Sequence, residues 1–170
     1  MDLSKSIRDV PDFPKKGILF KDITPLLGDP AAFRAAVEGI AAAFKTARIE
    51  AVAGIESRGF ILGAALALEL GVGFIPIRKP GKLPYKTRKR EYALEYGTDT
   101  VEIHEDAVKK GQRVLLVDDL IATGGTARAA VDLLHDIGAH VVAAAFLVEL
   151  SFLKGREKLV GERVFSLLSF

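Results

Sequence analysis

The 170-residue chain predicts a single α/β domain built on a mostly parallel sheet. Three observations predict it. Short apolar runs alternate with helix-length segments, which is the rhythm of right-handed βαβ units. The runs Ala51–Ile55, Gly73–Ile77 and Val114-Leu115-Leu116-Val117 carry almost no polar residue, as strands covered on both faces require. Glycines follow the helical segments where a left-handed stop belongs.

Taken in order, Asp29 caps and Pro30 opens an Ala-rich helix reaching position 44. Ala51–Ile55 is a buried strand, residues 59–70 a helix stopped by Gly71, and Gly73–Ile77 the next strand. Pro80, Gly81 and Pro84 interrupt regular structure, so residues 79–92 read as a flexible loop. Residues 92–96 and 101–103 suggest two strands around a turn. The clearest strand covers 113–117; a helix comes next over 126–137, then strands over 141–148 and 164–168. The first 27 residues do not fit the alternation and suggest a small lid over the end of the sheet.

Composition narrows the function classes. The chain has no cysteine, which excludes disulfides and thiolate metal sites and fits a cytoplasmic protein. A formal charge of +2 is too small for a general nucleic-acid or membrane binder. No apolar run nears the ~20 residues of a membrane span. Arg78, Lys79, Lys82, Lys86, Arg88, Lys89 and Arg90 nevertheless fall together without an intervening acid, either as a solvated loop or as an anion site. His104, His135 and His140 show no ligand spacing and read as structural or surface residues.

The most informative stretch runs Val114-Leu115-Leu116-Val117-Asp118-Asp119-Leu120-Ile121-Ala122-Thr123-Gly124-Gly125-Thr126. An apolar strand delivers two carboxylates to the carboxyl edge of the sheet, where open α/β sheets bind ligands. Two glycines then let the backbone approach an anion, two threonines add donors, and a helix N-terminus adds unpaired N–H groups and a favourable dipole. The combination describes a phosphate cradle beside acceptors for a sugar diol. A P-loop is excluded because the Gly81-Lys82 pair is followed by Leu83, and Gly71-Val72-Gly73 precedes a strand where a dinucleotide fingerprint would come after one.

This stretch resembles the PRPP-binding signature of the type I phosphoribosyltransferases (PRPP is 5-phosphoribosyl-1-pyrophosphate). Further segments resemble the adenine-using branch of that family: Phe13-Pro14 with Gly17-Ile18-Leu19-Phe20-Lys21-Asp22-Ile23-Thr24-Pro25, Glu56-Ser57-Arg58-Gly59-Phe60, Arg78-Lys79-Pro80-Gly81-Lys82-Leu83-Pro84, Leu94-Glu95-Tyr96-Gly97 and Leu153-Lys154-Gly155-Arg156-Glu157-Lys158-Leu159. The resemblance implies the type I phosphoribosyltransferase fold, a mostly parallel twisted sheet flanked by helices with a small N-terminal base-binding lid. It implies transfer of the phosphoribosyl group to adenine, giving AMP and pyrophosphate.

By the same resemblance, Ala122, Thr123, Gly124, Gly125 and Thr126 cradle the 5-phosphate, and Asp118 and Asp119 accept from the ribose hydroxyls. Arg58, Arg78, Lys79 and Lys82 receive the pyrophosphate. Leu19, Phe20 and Lys21 read the adenine, with Phe20 as the stacking platform and backbone groups beside it reading the edge. The family often has Arg where Lys21 stands. Glu95 handles the proton that the base loses. Mg²⁺ is expected with PRPP, held mainly by substrate oxygens, and a homodimer is implied. The alternatives are a transferase for another purine base, or a regulator that binds PRPP or nucleotides without chemistry.

Overall fold

The computed structural model describes residues 1–94 and 97–170. Nine strands and four α-helices are found among the described residues, joined in places by short 3₁₀ turns. The chain runs β1 (Arg8–Pro11), β2 (Leu19–Asp22), α1 (Thr24–Gly28), α2 (Pro30–Ala43), β3 (Ala51–Ile55), α3 (Arg58–Leu70) and β4 (Gly73–Ile77). It continues with β5 (Thr87–Ala93), β6 (Thr98–His104), β7 (Arg113–Ile121), α4 (Gly125–Asp136), β8 (His140–Glu149) and β9 (Val164–Ser169).

The central sheet has the order β4-β3-β7-β8-β9, and every neighbouring pair in it is parallel. From β3 the chain steps outward to β4, then returns to the other side of β3 for β7. The carboxyl ends of β3 and β7 therefore bound the topological switch point, where a crevice opens for ligands.

Strand alternation sorts the core into two layers. Val114 and Leu116 join Ala127, Ala130 and Leu134 of α4 on one face, with Val101 and Ile103 of the β6 strand. Leu115 and Val117 join α2 and α3 on the other, together with Leu3, Ile7, Ile23 and Leu26 from the N-terminal region. Burial of both faces is what the unbroken apolar runs required.

Local chemistry sets the helix ends. Asp29 Oδ1 accepts from Ala31 N at 2.9 Å and Ala32 N at 3.2 Å, which satisfies two of the N–H groups a helix start leaves free. Gly71 stops α3 in the left-handed region at φ 68°.

Several boundaries differ from the sequence reading. The third central strand runs on to Ile121, because Leu120 and Ile121 pair with Val148 and Glu149, so the acid pair lies within β7 and not beyond it. Helix α3 begins at Arg58 and α4 at Gly125, each one residue earlier than the sequence suggested. Residues 87–92, expected in a loop, belong to β5, which pairs antiparallel with β6 from Thr87↔His104 to Ala93↔Thr98. Arg78 bridges this hairpin to the end of β4, with Arg78 N donating to Glu102 O at 2.9 Å and Glu102 N to Arg78 O at 2.7 Å. The N-terminal segment forms a second hairpin from β1 and β2, succeeded by the short α1.

Candidate active site

A cavity of about 430 Å³ opens at the switch point, lined by Glu56, Ser57, Arg58, Lys79, Tyr92, Leu94, Asp99, Asp118, Asp119 and Thr126 among others. A smaller one of about 100 Å³ adjoins it, lined by Asp118 and by residues 120–127. Asp118 and Thr126 line both, so the two form one continuous site.

The smaller cavity is formed by the segment expected to cradle the 5-phosphate. Gly124 adopts φ 80° just ahead of α4, a conformation open to glycine at no steric cost. The first bond of the helix runs from Arg128 N to Gly124 O at 2.9 Å. The N–H groups of the first helical turn, ahead of Arg128, thus have no partner within the helix and face the cradle.

Two carboxylates stand beside it. Asp119 is 4% exposed, and its Oδ2 lies 2.8 Å from Arg58 Nε. That approach lacks the alignment of a hydrogen bond, so this buried oxygen has no hydrogen-bond partner among the described residues. Asp118 Oδ1 accepts from Asp119 N at 2.9 Å. Burial, then the neighbouring charge of Asp119, pushes the Asp118 carboxyl well above its ordinary value of 3.8. Burial raises Asp119 as well, against the pull of Arg58. Burial and the shared charge thus favour the neutral form of the pair, and hydrogen bonds from a diol or a nearby cation would favour the ionised form.

Two of the expected pyrophosphate cations, Arg78 and Lys82, converge with the backbone of Lys79 on a residue that sequence reasoning did not single out, whereas Arg58 pairs with Asp119. Glu56, 12% exposed at its side chain, accepts from Arg78 Nε and Nη2, both at 3.2 Å, and from Lys82 Nζ at 2.7 Å. It also accepts from Lys79 N at 3.0 Å. Desolvation opposes its ionisation, but the hydrogen bonds from Lys82, Arg78 and Lys79 N outweigh this and hold the carboxyl at about 2. Lys79 Nζ pairs with Asp99 and donates to Tyr92 Oη at 3.2 Å. Tyr92 Oη in turn donates to Asp99 Oδ2 at 3.1 Å. Glu56 could have been suspected from its place directly after a buried strand; Asp99 carries no such signal, because the pairing of β5 with β6 brings it in.

Two further members of the basic run are paired elsewhere. Arg88 pairs with Glu105 at 3.1 Å and Arg90 with Asp136 at 2.7 Å. Two of the three histidines are also paired away from the site: His104 Nε2 accepts from Tyr85 N at 3.3 Å, and His135 lies 2.9 Å from Glu162.

The N-terminal hairpin reaches the site through Phe20. Its ring lies 5.1 Å from the Arg58 guanidinium and 5.1 Å, edge-on, from Phe13. Arg58 thereby links the aromatic platform to Asp119. Leu19 is exposed, whereas Lys21 is buried, with Nζ 2.6 Å from Asp9 and over the ring of Phe170 at 4.1 Å. Its side chain ties the hairpin to the C-terminal Phe170 and faces away from the crevice residues. Glu95 lies outside the described residues, between Leu94 and Gly97.

The acid pair, the glycine-rich loop, Arg58 and Lys79 thus line one crevice, while Arg78 and Lys82 are held on Glu56 at its wall. The Phosphoribosyl transferase domain family matches residues 27–162. This chain belongs to the adenine phosphoribosyltransferase family. It is 59% identical, over 99% of both chains, to the adenine phosphoribosyltransferase of Syntrophotalea carbinolica. It is 64% identical to that of Methylobacterium nodulans over 92% of this chain and 87% of the relative. Among solved structures, the adenine phosphoribosyltransferase of Thermoanaerobacter pseudethanolicus superimposes with a TM-score of 0.97 at 54% identity, covering 99% of this chain and 98% of the other. That of Saccharomyces cerevisiae, complexed with adenine and an imino-altritol bisphosphate, gives 0.93 at 43% identity over 98% and 96%. Family membership accounts for the fold order and for the crevice at its switch point.

Proposed function

We infer that the protein transfers the 5-phosphoribosyl group of PRPP to adenine, forming AMP and releasing pyrophosphate. The observation that carries this is the meeting, at one switch-point crevice, of a glycine-rich loop at a helix start, a buried acid pair and the cations Arg58 and Lys79. Near relatives named for adenine transfer support the choice of base.

In this reading the N–H groups of the cradle and the hydroxyls of Thr123 and Thr126 hold the 5-phosphate. Asp118 and Asp119 accept from the ribose hydroxyls, and Arg58, Arg78, Lys79 and Lys82 take the pyrophosphate. Displacement at the anomeric carbon develops positive charge on the ribose and negative charge on the leaving group. Catalysis then lies mainly in positioning and electrostatic stabilisation. Phe20 stacks on the purine, and Glu95 takes the proton lost as the ring nitrogen becomes glycosidic.

Mg²⁺ suits this donor set. Asp118 and Asp119 are hard oxygen ligands, and Asp119 Oδ2 is buried without a hydrogen bond. No group of three or more metal-ligating acids or histidines occurs among the described residues. The ion is proposed to bind with PRPP, held chiefly by substrate oxygens, where it would supply neutralising charge to the pyrophosphate. The protein is further proposed to act in the cytoplasm, in keeping with its lack of cysteine. A homodimer is also proposed, in keeping with the exposed Ile61 and Leu68 on α3.

The test is AMP formation from adenine, PRPP and Mg²⁺, with guanine, hypoxanthine and xanthine in parallel. Turnover with adenine alone is expected, and Glu95→Ala should slow it by about 10²-fold or more. Turnover on another base would overturn the reading of the Phe20 segment. PRPP binding without turnover on any base would mean a regulator.

A further inference from the structure

One segment singled out by the sequence has no place in the chemistry above: Leu153-Lys154-Gly155-Arg156-Glu157-Lys158-Leu159. It comes after β8 and packs behind the anion cradle. A Cβ on Gly124 would overlap the carbonyl oxygen of Gly155 and stand 3.0 Å from its carbonyl carbon. A Cβ on Gly155 would overlap the carbonyl oxygen of Ala122, 2.9 Å from Ile121 Cγ1 and 3.1 Å from Gly124 N. Two backbones therefore meet with no side chain between them, one being the cradle itself.

The second backbone is anchored independently of the cradle. Arg156 donates to both oxygens of Glu149, from Nε at 2.6 Å and Nη2 at 2.7 Å, and from Nη1 to Val164 O at 3.0 Å. Glu149 is 7% exposed at the end of β8, and its hydrogen bonds from Arg156 lead the causes that hold its carboxyl below the ordinary range. Leu159, 1% exposed, plugs the far end of the segment into the core. A bidentate guanidinium pair fixes direction as well as distance.

We propose that Gly155, held by the Arg156–Glu149 clamp, is a positioning residue that sets the shape of the 5-phosphate cradle from behind. The proposal rests on reading residues 122–126 as the 5-phosphate site. It assigns the C-terminal motif a function in substrate affinity without contact with substrate. The cradle binds through backbone N–H groups, whose directions depend on the path of residues 122–124, and that path is pressed against Gly155. A methyl at Gly155 must push Ala122 or Gly124 aside and misdirect at least one charge-assisted hydrogen bond to the phosphate.

The experiment compares Gly155→Ala with the parent protein by calorimetric titration of two separate probes, ribose 5-phosphate and Mg²⁺-pyrophosphate. Gly155→Ala should weaken ribose 5-phosphate binding about tenfold or more, the worth of one such hydrogen bond, and leave Mg²⁺-pyrophosphate binding within about twofold. Arg156→Lys, which keeps the charge and loses the fork, should shift the same probe in the same direction by less, and it serves if Gly155→Ala fails to fold. Equal weakening of both probes would reduce the segment to general structural support and overturn the proposal. So would unchanged ribose 5-phosphate affinity in a folded Gly155→Ala protein or, should that variant not fold, in Arg156→Lys. Failure of the parent protein to bind ribose 5-phosphate would instead refute the assignment of the cradle.

Discussion

Glu56→Gln should destabilise the protein at neutral pH, and the deficit should fade on acidification. In the native state Glu56 faces Arg78, Lys82 and Lys79 N, and its carboxyl is held at about 2 against an ordinary value of 4.5. A depressed acid contributes stability that is fully present above the unfolded value and lost as pH falls towards the folded one. The gap, at about 1.4 kcal/mol for each pH unit, sets a ceiling of about 3 kcal/mol. The Arg78 and Lys82 side chains are 32% and 49% exposed, so solvent screening lowers the expected contribution to about 1–2 kcal/mol. Gln keeps the shape and one acceptor, and places an amide against two cations. Urea unfolding at pH 7, 5, 4 and 3 should show a full deficit at the first two and a shrinking one below pH 4.5. A deficit that stays constant through pH 3, or no deficit at pH 7, would refute the claim that Glu56 is the anionic hub of this cluster.

The remaining predictions concern the acid pair and the helix ends. Asp118 has a raised carboxyl, so the native state loses stability as pH climbs above the unfolded value of 3.8; Asp118→Asn should therefore exceed the parent in thermal stability at pH 7 and match it near pH 3. The same variant should bind PRPP more weakly, and parallel melting and titration experiments would expose either failure. A Cβ on Gly59 would lie 2.7 Å from Asp118 Oδ1 and 3.1 Å from Val117 O. Gly59→Ala should thus cost about 1–3 kcal/mol by overpacking, offset by at most about 1 kcal/mol of helix propensity, and should raise KM for PRPP. Asp29→Ala removes two capping bonds remote from the site and should cost about 1 kcal/mol in urea unfolding with both substrate KM values unchanged.

Much of this protein is dictated by local rules that act along the chain. Asp29 and Pro30 announce a helix start, Gly71 its stop for α3, and the strand-loop-helix of Val114 to Thr126 carries its own geometry. A short apolar run bounded by turn signals and alternating with helices reads as a covered strand, and the residues after it emerge at the carboxyl edge. The acid pair, the cradle and the positions of Arg58 and Arg78 at the same edge were legible for that reason. Strand ends were less so: nothing local extends β7 through two aspartates, and the pairing of Leu120 and Ile121 with β8 does so. Nor does an array of Lys and Arg forecast pairing as a strand, which β5 owes to the partner β6.

What only the tertiary structure decided is which charges meet. Glu56 gathers cations from 22 and 26 positions away, Asp99 holds Lys79 from beside the turn of the β5–β6 hairpin, and Gly155 closes on Gly124 from beyond β8. Hydrogen-bond geometry and close packing act through space over a few ångströms, and sequence separation carries no record of them. The sequence by itself determined the fold order and the kind of ligand; the folded chain decided how its charges are held until that ligand arrives.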